Sequence, residues 1–295
     1  MIIRYLHEGD VHIGVRADDG IHPLPADSLG ELLALPHAEF RSAIESADLP
    51  VAGAPHGDVR LLPPIDGLTE VWASGVTYRR SSQARQEESQ TADVYALVYD
   101  APRPELFFKS PAWRVVGDGE PIGIRTDSSI DVPEPELALV CNAHSEIVGL
   151  TICDDVSSRS IEGENPLYLP QAKIYSGACA LGPGIVPSWR IADVTDLAIT
   201  VTVRRGAEVA WAAEASTALM HRGFADLVEH LFRQATFPHG VVLSTGTGLV
   251  PDLHFTLRAG DVVHIEIDGI GALTNSVHSA SSFAWLTPRP DRTPA

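Results

Sequence analysis

The sequence predicts an α+β fold that is mainly β. Short apolar or alternating runs that suit strands recur at 71–76, 106–109, 137–140, 147–152, 197–204, 241–244 and 260–267. Against them stands one clearly amphipathic helix, 222–235. There Phe224, Leu227, Val228, Leu231 and Phe232 recur at helical spacing, so the apolar stripe reads as core.

In chain order, residues 1–25 alternate and contain Asp18-Asp19-Gly20, a hairpin-turn signal. Residues 27–48 carry Leu29, Leu32, Leu33, Leu35, Phe40 and Ile44, broken by Pro36, which predicts one or two short helices. The stretch Leu61-Leu62-Pro63-Pro64-Ile65-Asp66-Gly67 reads as a linker or domain entry. Residues 1–62 are therefore expected to form a small N-terminal α+β domain and residues 63–287 a larger one. The Pro- and Arg-rich tail 288–295 is expected to be disordered. Residues 80–100 are expected to be helical and 121–125 to form a weaker strand. In 197–204 the larger apolar residues fall at every second position, as in a half-buried strand. Asp268-Gly269 and Gly271 shape a turn after 260–267.

The 295 residues hold 21 Lys and Arg against 39 Asp and Glu, a net charge of −18. Such a field argues against nucleic acid and anionic membranes as partners, while leaving room for a small anion held by local cations. Cys141, Cys153 and Cys179 have no metal-type spacing and suit buried free thiols in a reducing cytosol. The first residues lack a signal-peptide core, and no run approaches membrane-span length. A soluble cytoplasmic protein is expected.

Val132-Pro133-Glu134-Pro135-Glu136 precedes an apolar run, a polar break at 142–146, a second apolar run, and Cys153-Asp154-Asp155. In a strand, side chains two apart share a face, so Glu134 and Glu136 project together. A hairpin whose turn centres between His144 and Ser145 puts Glu134 opposite Asp155. Three carboxylates that close repel, and need a cation or shifted pKa values. All-oxygen ligands suit a hard divalent ion, Mg²⁺ first, then Mn²⁺ or Ca²⁺. Acids beside a proline are commonly just solvated loop charge, so the pairing across the hairpin is what makes this a candidate site.

Residues 132–140 (VPEPELALV), 154–173 (DDVSSRSIEGENPLYLPQAK) and 260–271 (GDVVHIEIDGIG) resemble the fumarylacetoacetate hydrolase family. Residues 75–89 (GVTYRRSSQARQEES) and 103–109 (RPELFFK) are similar to its sugar-acid dehydratase branch. The resemblance spans about 60–285. It implies a mixed β-sheet roll around a metal site, a smaller N-terminal domain, and a homodimer or dimer-based tetramer. It also implies that Glu134, Glu136 and Asp155 are the metal ligands.

The implied chemistry is Mg²⁺-dependent dehydration of a 2-keto-3-deoxy sugar acid, of the 2-keto-3-deoxy-D-arabinonate type, to a dioxo acid such as 2,5-dioxopentanoate. The alternatives on the same scaffold are C–C hydrolysis of an acylpyruvate, decarboxylation or isomerisation of a keto diacid, and a specialised biosynthetic step. The hydrolytic branch resembles a Tyr, His, Glu loop pattern. Here 77–88 contains no histidine, so its water-activating pair is incomplete.

The resemblance makes Lys173 and Glu105 the acid–base residues, although a surface lysine and a strand-edge acid are their ordinary roles. Thr245 or Thr247 in Ser244-Thr245-Gly246-Thr247-Gly248 is expected on the substrate carboxylate. Lys109 is expected to bind substrate or to pair with a site carboxylate. One of Arg79, Arg80 and Arg85 is expected to clamp substrate from a lid, and Arg159 to brace the metal-site carboxylates. Two positions depart from the family's pattern. Asp154 stands where Asn is usual and adds charge beside a ligand, and Ser160 stands where Asp is usual.

Overall fold

The computed structural model describes residues 1–47, 59–88 and 97–287, and of 85–88 the backbone alone. Strands dominate, as expected. A ten-stranded mixed sheet runs in the order Gly20–Pro23, Asp10–Ala17, Ile2–His7, Cys179–Pro187, Ile147–Asp155, Pro135–Cys141, Val241–Ser244, Glu70–Gly75, Glu105–Pro111, with Arg60–Leu62 also paired to Ile2–His7. A second sheet has the order Glu208–Ser216, Ala198–Arg205, Asp261–Ile267, Gly271–Ser279, Ile122–Ile124. A two-stranded ribbon pairs Asp131–Val132 with Ser157–Ser158.

The central hairpin is buried on both faces. Leu137, Leu139, Leu150 and Ile152 pack with Val201, Val203, Val263 and Ile265 of the second sheet. Ala138, Val140, Val148 and Cys153 face the opposite way, toward Leu29, Leu33, Phe40 and Ile44 of the helices Leu29–Leu33 and His37–Ser46. That double burial explains why 137–140 and 147–152 read as continuous apolar runs rather than alternation. Ala198–Arg205 buries only Ile199, Val201 and Val203 on one face, and so alternates.

The ladder around the site runs Leu150↔Leu139, Ile152↔Leu137, Cys153↔Glu136, and Asp155 donates its N–H to the Glu134 carbonyl at 3.0 Å. This is the register expected for a turn centred between His144 and Ser145. Near the turn the pairing is Ile147↔Cys141, one residue out of step, and a bulge between Ile147 and Gly149 restores it. The bulge also moves Val148 onto the face opposite Leu150.

Most of the other sequence expectations hold with small boundary shifts. Asp18 and Asp19 join Asp10–Ala17 to Gly20–Pro23, Pro36 separates the two short helices, and the amphipathic helix is Phe224–Phe232. Helix Arg79–Glu88 covers the described start of the 80–100 expectation. Residues 89–96 of that expectation, and the 288–295 tail, lie outside the described residues. Cys179–Pro187, which pairs with both the central hairpin and Ile2–His7, gave no sequence signal because Gly182, Pro183 and Gly184 interrupt it. Through this strand, Ile2–His7, Asp10–Ala17, Gly20–Pro23 and Arg60–Leu62 share one continuous sheet with strands of the larger region.

Candidate active site

Where the hairpin face that packs on the two short helices reaches the end of its strands, apolar residues give way to acids. Glu134, Glu136 and Asp155 each offer a carboxylate oxygen within 4.8 Å of the others, and all three are buried. The two-residue spacing of the glutamates and the pairing of Asp155 with Glu134 put all three on one side of the sheet.

Each carboxylate is held by neighbours. Glu136 Oε2 accepts from Ser244 Oγ at 2.5 Å and from the Gly246 N–H at 2.7 Å. Burial, followed by repulsion from Asp155 and Glu134, still pushes its pKa well above the usual carboxylate range. Glu134 accepts from Arg159 Nη2 at 2.8 Å and from Lys173 Nζ at 2.7 Å. Asp155 accepts from Lys173 Nζ at 2.9 Å and also pairs with Lys109.

These groups open onto a narrow, tightly lined cavity. Glu105 and Phe107 from one strand, Ser74 and Gly75 from its neighbour, Val76 just past that strand's end, and Gly246 and Thr247 from the 244–248 turn form its other walls. Five acids line it: Glu105, Glu134, Glu136, Asp155 and Glu162. Arg159 and Lys173 line it too, and Lys109 sits behind Asp155. Among the described residues, and by formal charge, the acids of this site outnumber the cations. Buried, mutually repelling oxygens with that excess are a donor set suited to a hard cation. Glu134, Glu136 and Asp155 would hold it.

Lys173 lies at the end of the short helix Leu169–Lys173, with its Nζ 5.6 Å from the Phe107 ring centroid. Glu105 pairs with Gly75 across the ladder. A Cβ on Gly75 would come within 2.2 Å of Glu105 Oε2, so only glycine lets that carboxylate lie flat against the strand. Lys173 and Glu105 thus reach the same cavity as the acidic triad from different elements. No histidine lines it among the described residues.

Several expected residues stand elsewhere. Lys109 does not reach the cavity. It is 1% exposed and donates to the Lys173 carbonyl at 2.6 Å and the Val156 carbonyl at 3.2 Å besides pairing with Asp155. Of its two expected roles the structure shows the ion pair. Thr245 turns away from the cavity, its hydroxyl donating to the Leu137 carbonyl at 2.7 Å, whereas Thr247 does line it. The 244–248 turn offers an N–H to an anion as foreseen, but that anion is Glu136. Arg79 is exposed at the start of helix Arg79–Glu88 and lies outside the cavity lining. Arg85 belongs to the same helix, and its side chain lies outside the described residues.

Asp154 points to the face opposite Asp155, where its Oδ1 accepts from the Glu134 N–H at 2.9 Å. Burial pushes its pKa up to about 7. It therefore fixes the backbone of a triad residue without joining the triad. Ser160 lies away from the cavity, bonded to Ser128 Oγ at 3.0 Å and to the Ser129 N–H at 3.1 Å. Sequence reasoning missed Glu162, although it follows Arg159 by three positions on helix Arg159–Glu164 and so shares its face. It also gave no role to Ser81, Gly75, Val76 and Phe107, although all four lie within the resembling segments 75–89 and 103–109.

The model of the fumarylacetoacetate hydrolase C-terminal family matches residues 70–278, and the chain belongs to that family. Among its relatives, a probable 2-keto-3-deoxyxylonate dehydratase of Haloferax volcanii is 50% identical over 214 residues, 72% of this chain and 73% of that protein. A 2-dehydro-3-deoxy-D-arabinonate dehydratase of Saccharolobus solfataricus is 43% identical over 224 residues, 75% of each. The solved structure of 2-keto-3-deoxy-D-arabinonate dehydratase complexed with magnesium and 2,5-dioxopentanoate superposes with a TM-score of 0.81 at 35% identity. It covers 94% of this chain and 98% of that one. Among the described residues no helix is long and apolar enough to cross a membrane.

Proposed function

We propose that the protein is a Mg²⁺-dependent dehydratase that converts a five-carbon 2-keto-3-deoxy sugar acid to 2,5-dioxopentanoate. One observation carries this reading: the buried acidic triad shares its cavity with Lys173 and Glu105, and with no histidine among the described lining residues. The relatives support the substrate class. Xylonate and arabinonate of the D series differ only at C2 and C3, and those centres vanish in a 2-keto-3-deoxy acid. The two relatives' names then describe one compound.

Bound magnesium supplies a Lewis acid that polarises the 2-keto group and so acidifies the C3–H. The residues of the chain do the rest. Lys173 and Glu105 share removal of a C3 proton and protonation of the C4 hydroxyl, which leaves as water and creates a C3–C4 double bond. Removing a proton from C5 and returning one to C3 then gives a C4–C5 enol. Protonation at C4 with loss of the enol proton yields the C5 aldehyde. The net change is the loss of one water.

Arg159 and Lys109 hold Glu134 and Asp155 in place, and Thr247 is the turn residue offered to the substrate carboxylate. In this proposal the substrate is a small 2-keto acid, the compartment the cytoplasm, and the assembly a homodimer or dimer-based tetramer. Sedimentation checks the last of these. Mass spectrometry of products, from metal-free and Mg²⁺-loaded protein given 2-keto-3-deoxy-D-arabinonate and an acylpyruvate together, tests the reaction. Mg²⁺-dependent loss of one water from the sugar acid alone is expected. Cleavage of the acylpyruvate alone would overturn the reading in favour of a C–C hydrolase.

A further inference from the structure

Strand Glu105–Pro111 carries a bulge. Val71 pairs with Ser110 and Trp72 with Phe108, so Lys109 is the extra residue, without a partner across the ladder. Glu105 and Phe107, two apart, both line the cavity. Unbroken alternation would carry Lys109 onto the same wall. The bulge re-aims it, and its ammonium ends behind the cavity, buried.

A buried ammonium has three N–H groups to place. Lys109 directs them to the Asp155 carboxylate, the Val156 carbonyl at 3.2 Å and the Lys173 carbonyl at 2.6 Å. The last contact closes a ring. Lys173 ends helix Leu169–Lys173, where a carbonyl has no partner within the helix and a cation suits it. From there the Lys173 side chain runs forward to Asp155 Oδ2 at 2.9 Å and Glu134 Oε2 at 2.7 Å. Asp155 leads back to Lys109. One buried lysine thus holds the residue from which the Lys173 amine starts and a carboxylate on which it ends.

We propose that Lys109 is a positioning residue for Lys173, setting where that amine stands in the cavity as well as steadying Asp155. This rests on the dehydratase reading above, in which Lys173 moves protons. Loss of Lys109 then has two separable effects: weaker Mg²⁺ binding through Asp155, and slower chemistry through Lys173. A merely structural lysine would show the first alone, and saturating Mg²⁺ would restore kcat per folded molecule.

The test measures calorimetric Mg²⁺ affinity, Tm, and kcat and KM at saturating Mg²⁺ for wild type, Lys109→Met, Lys109→Gln, Lys173→Met and the double Met variant. Lys109→Met should bind Mg²⁺ about 10- to 100-fold more weakly. Its kcat should stay on the order of 10²-fold down at saturating Mg²⁺, with KM within about threefold. Lys109→Gln keeps a neutral donor for the carbonyls and should lose kcat by roughly tenfold. In the Lys173→Met background, Lys109→Met should change the residual kcat by less than about twofold, because the two act through one network.

A kcat that returns to wild type at saturating Mg²⁺ in either folded Lys109 variant, or losses that multiply in the double variant, would overturn the assignment. Where Lys109→Met does not fold, the kcat of Lys109→Gln decides by itself. Wild type that dehydrates no five-carbon 2-keto-3-deoxy acid would overturn the dehydratase reading instead.

Discussion

Two buried ionic clusters among the described residues are built to different plans. Arg4 pairs with Asp66 at 2.8 Å, while its Nη1 donates to the carbonyls of Pro63 and Ile65. Asp66 in turn accepts from the Leu29 N–H. Cation meets anion, and these further contacts clasp backbone from two segments, 63–65 and Leu29. Around Glu134, Glu136 and Asp155 the described acids outnumber the described bases, and the acids face a cavity. A balanced buried pair ties chain segments together. An unbalanced one stays poised for a further cation, and its residual repulsion is what ligand binding relieves.

The contrast can be broken from either side. Lys173→Met should cut turnover on the order of 10³-fold while the protein stays folded. Steady-state kinetics with circular dichroism checks this, and unchanged turnover would remove Lys173 from the chemistry. Arg4→Met should do the opposite. Leaving Asp66 buried without its cation should cost about 3–5 kcal/mol of stability in urea unfolding, with turnover per folded molecule kept.

Ser244→Ala removes a donor to Glu136 without touching the cavity's charge. It should weaken Mg²⁺ binding by about 10- to 100-fold in calorimetry. A smaller effect, on stability alone, belongs to Asp131. This buried carboxyl has its pKa pushed up to about 6, chiefly by desolvation. Its folded pKa lies above its unfolded value, so the folded state holds the proton more tightly. The charge therefore destabilises above pH 6, and the penalty fades as pH falls toward 4. Asp131→Asn should stabilise by on the order of 2 kcal/mol at pH 7.5 and by little near pH 4.5, as thermal unfolding at the two pH values would show.

The triad was legible in the sequence because two local rules fix it: the period of two along a strand and the register across a short hairpin. Helix Phe224–Phe232 and strand Ala198–Arg205 were legible because each buries a single face. Lys109 was harder to place, since the same lysine on a strand can reach into the cavity or fold behind Asp155. Tertiary packing decides, and it brings the carbonyls of Val156 and Lys173 to the ammonium. Thr245 and Thr247 could not be told apart for a similar reason: in a run of small polar residues the one facing the cavity depends on where the strand ends. Gly75 and Val76 open the resembling segment 75–89, but their part in the cavity wall was not legible there, because what marks them is a close approach and a backbone angle.

The carboxylates of the triad are joined by a hairpin of about twenty residues, whereas Val241–Ser244, whose end tethers Glu136, joins the same sheet from roughly a hundred residues away. Local pairings close at lower entropic cost and earlier in folding than distant ones. The acidic patch should therefore assemble before its restraints do, leaving a nascent chain with clustered carboxylates and no Ser244 or Gly246 to steady them. Pulse-labelling hydrogen exchange during refolding should show amide protection across 137–153 before 241–244. Divalent ions should speed the hairpin phase and leave the later sheet closure unchanged.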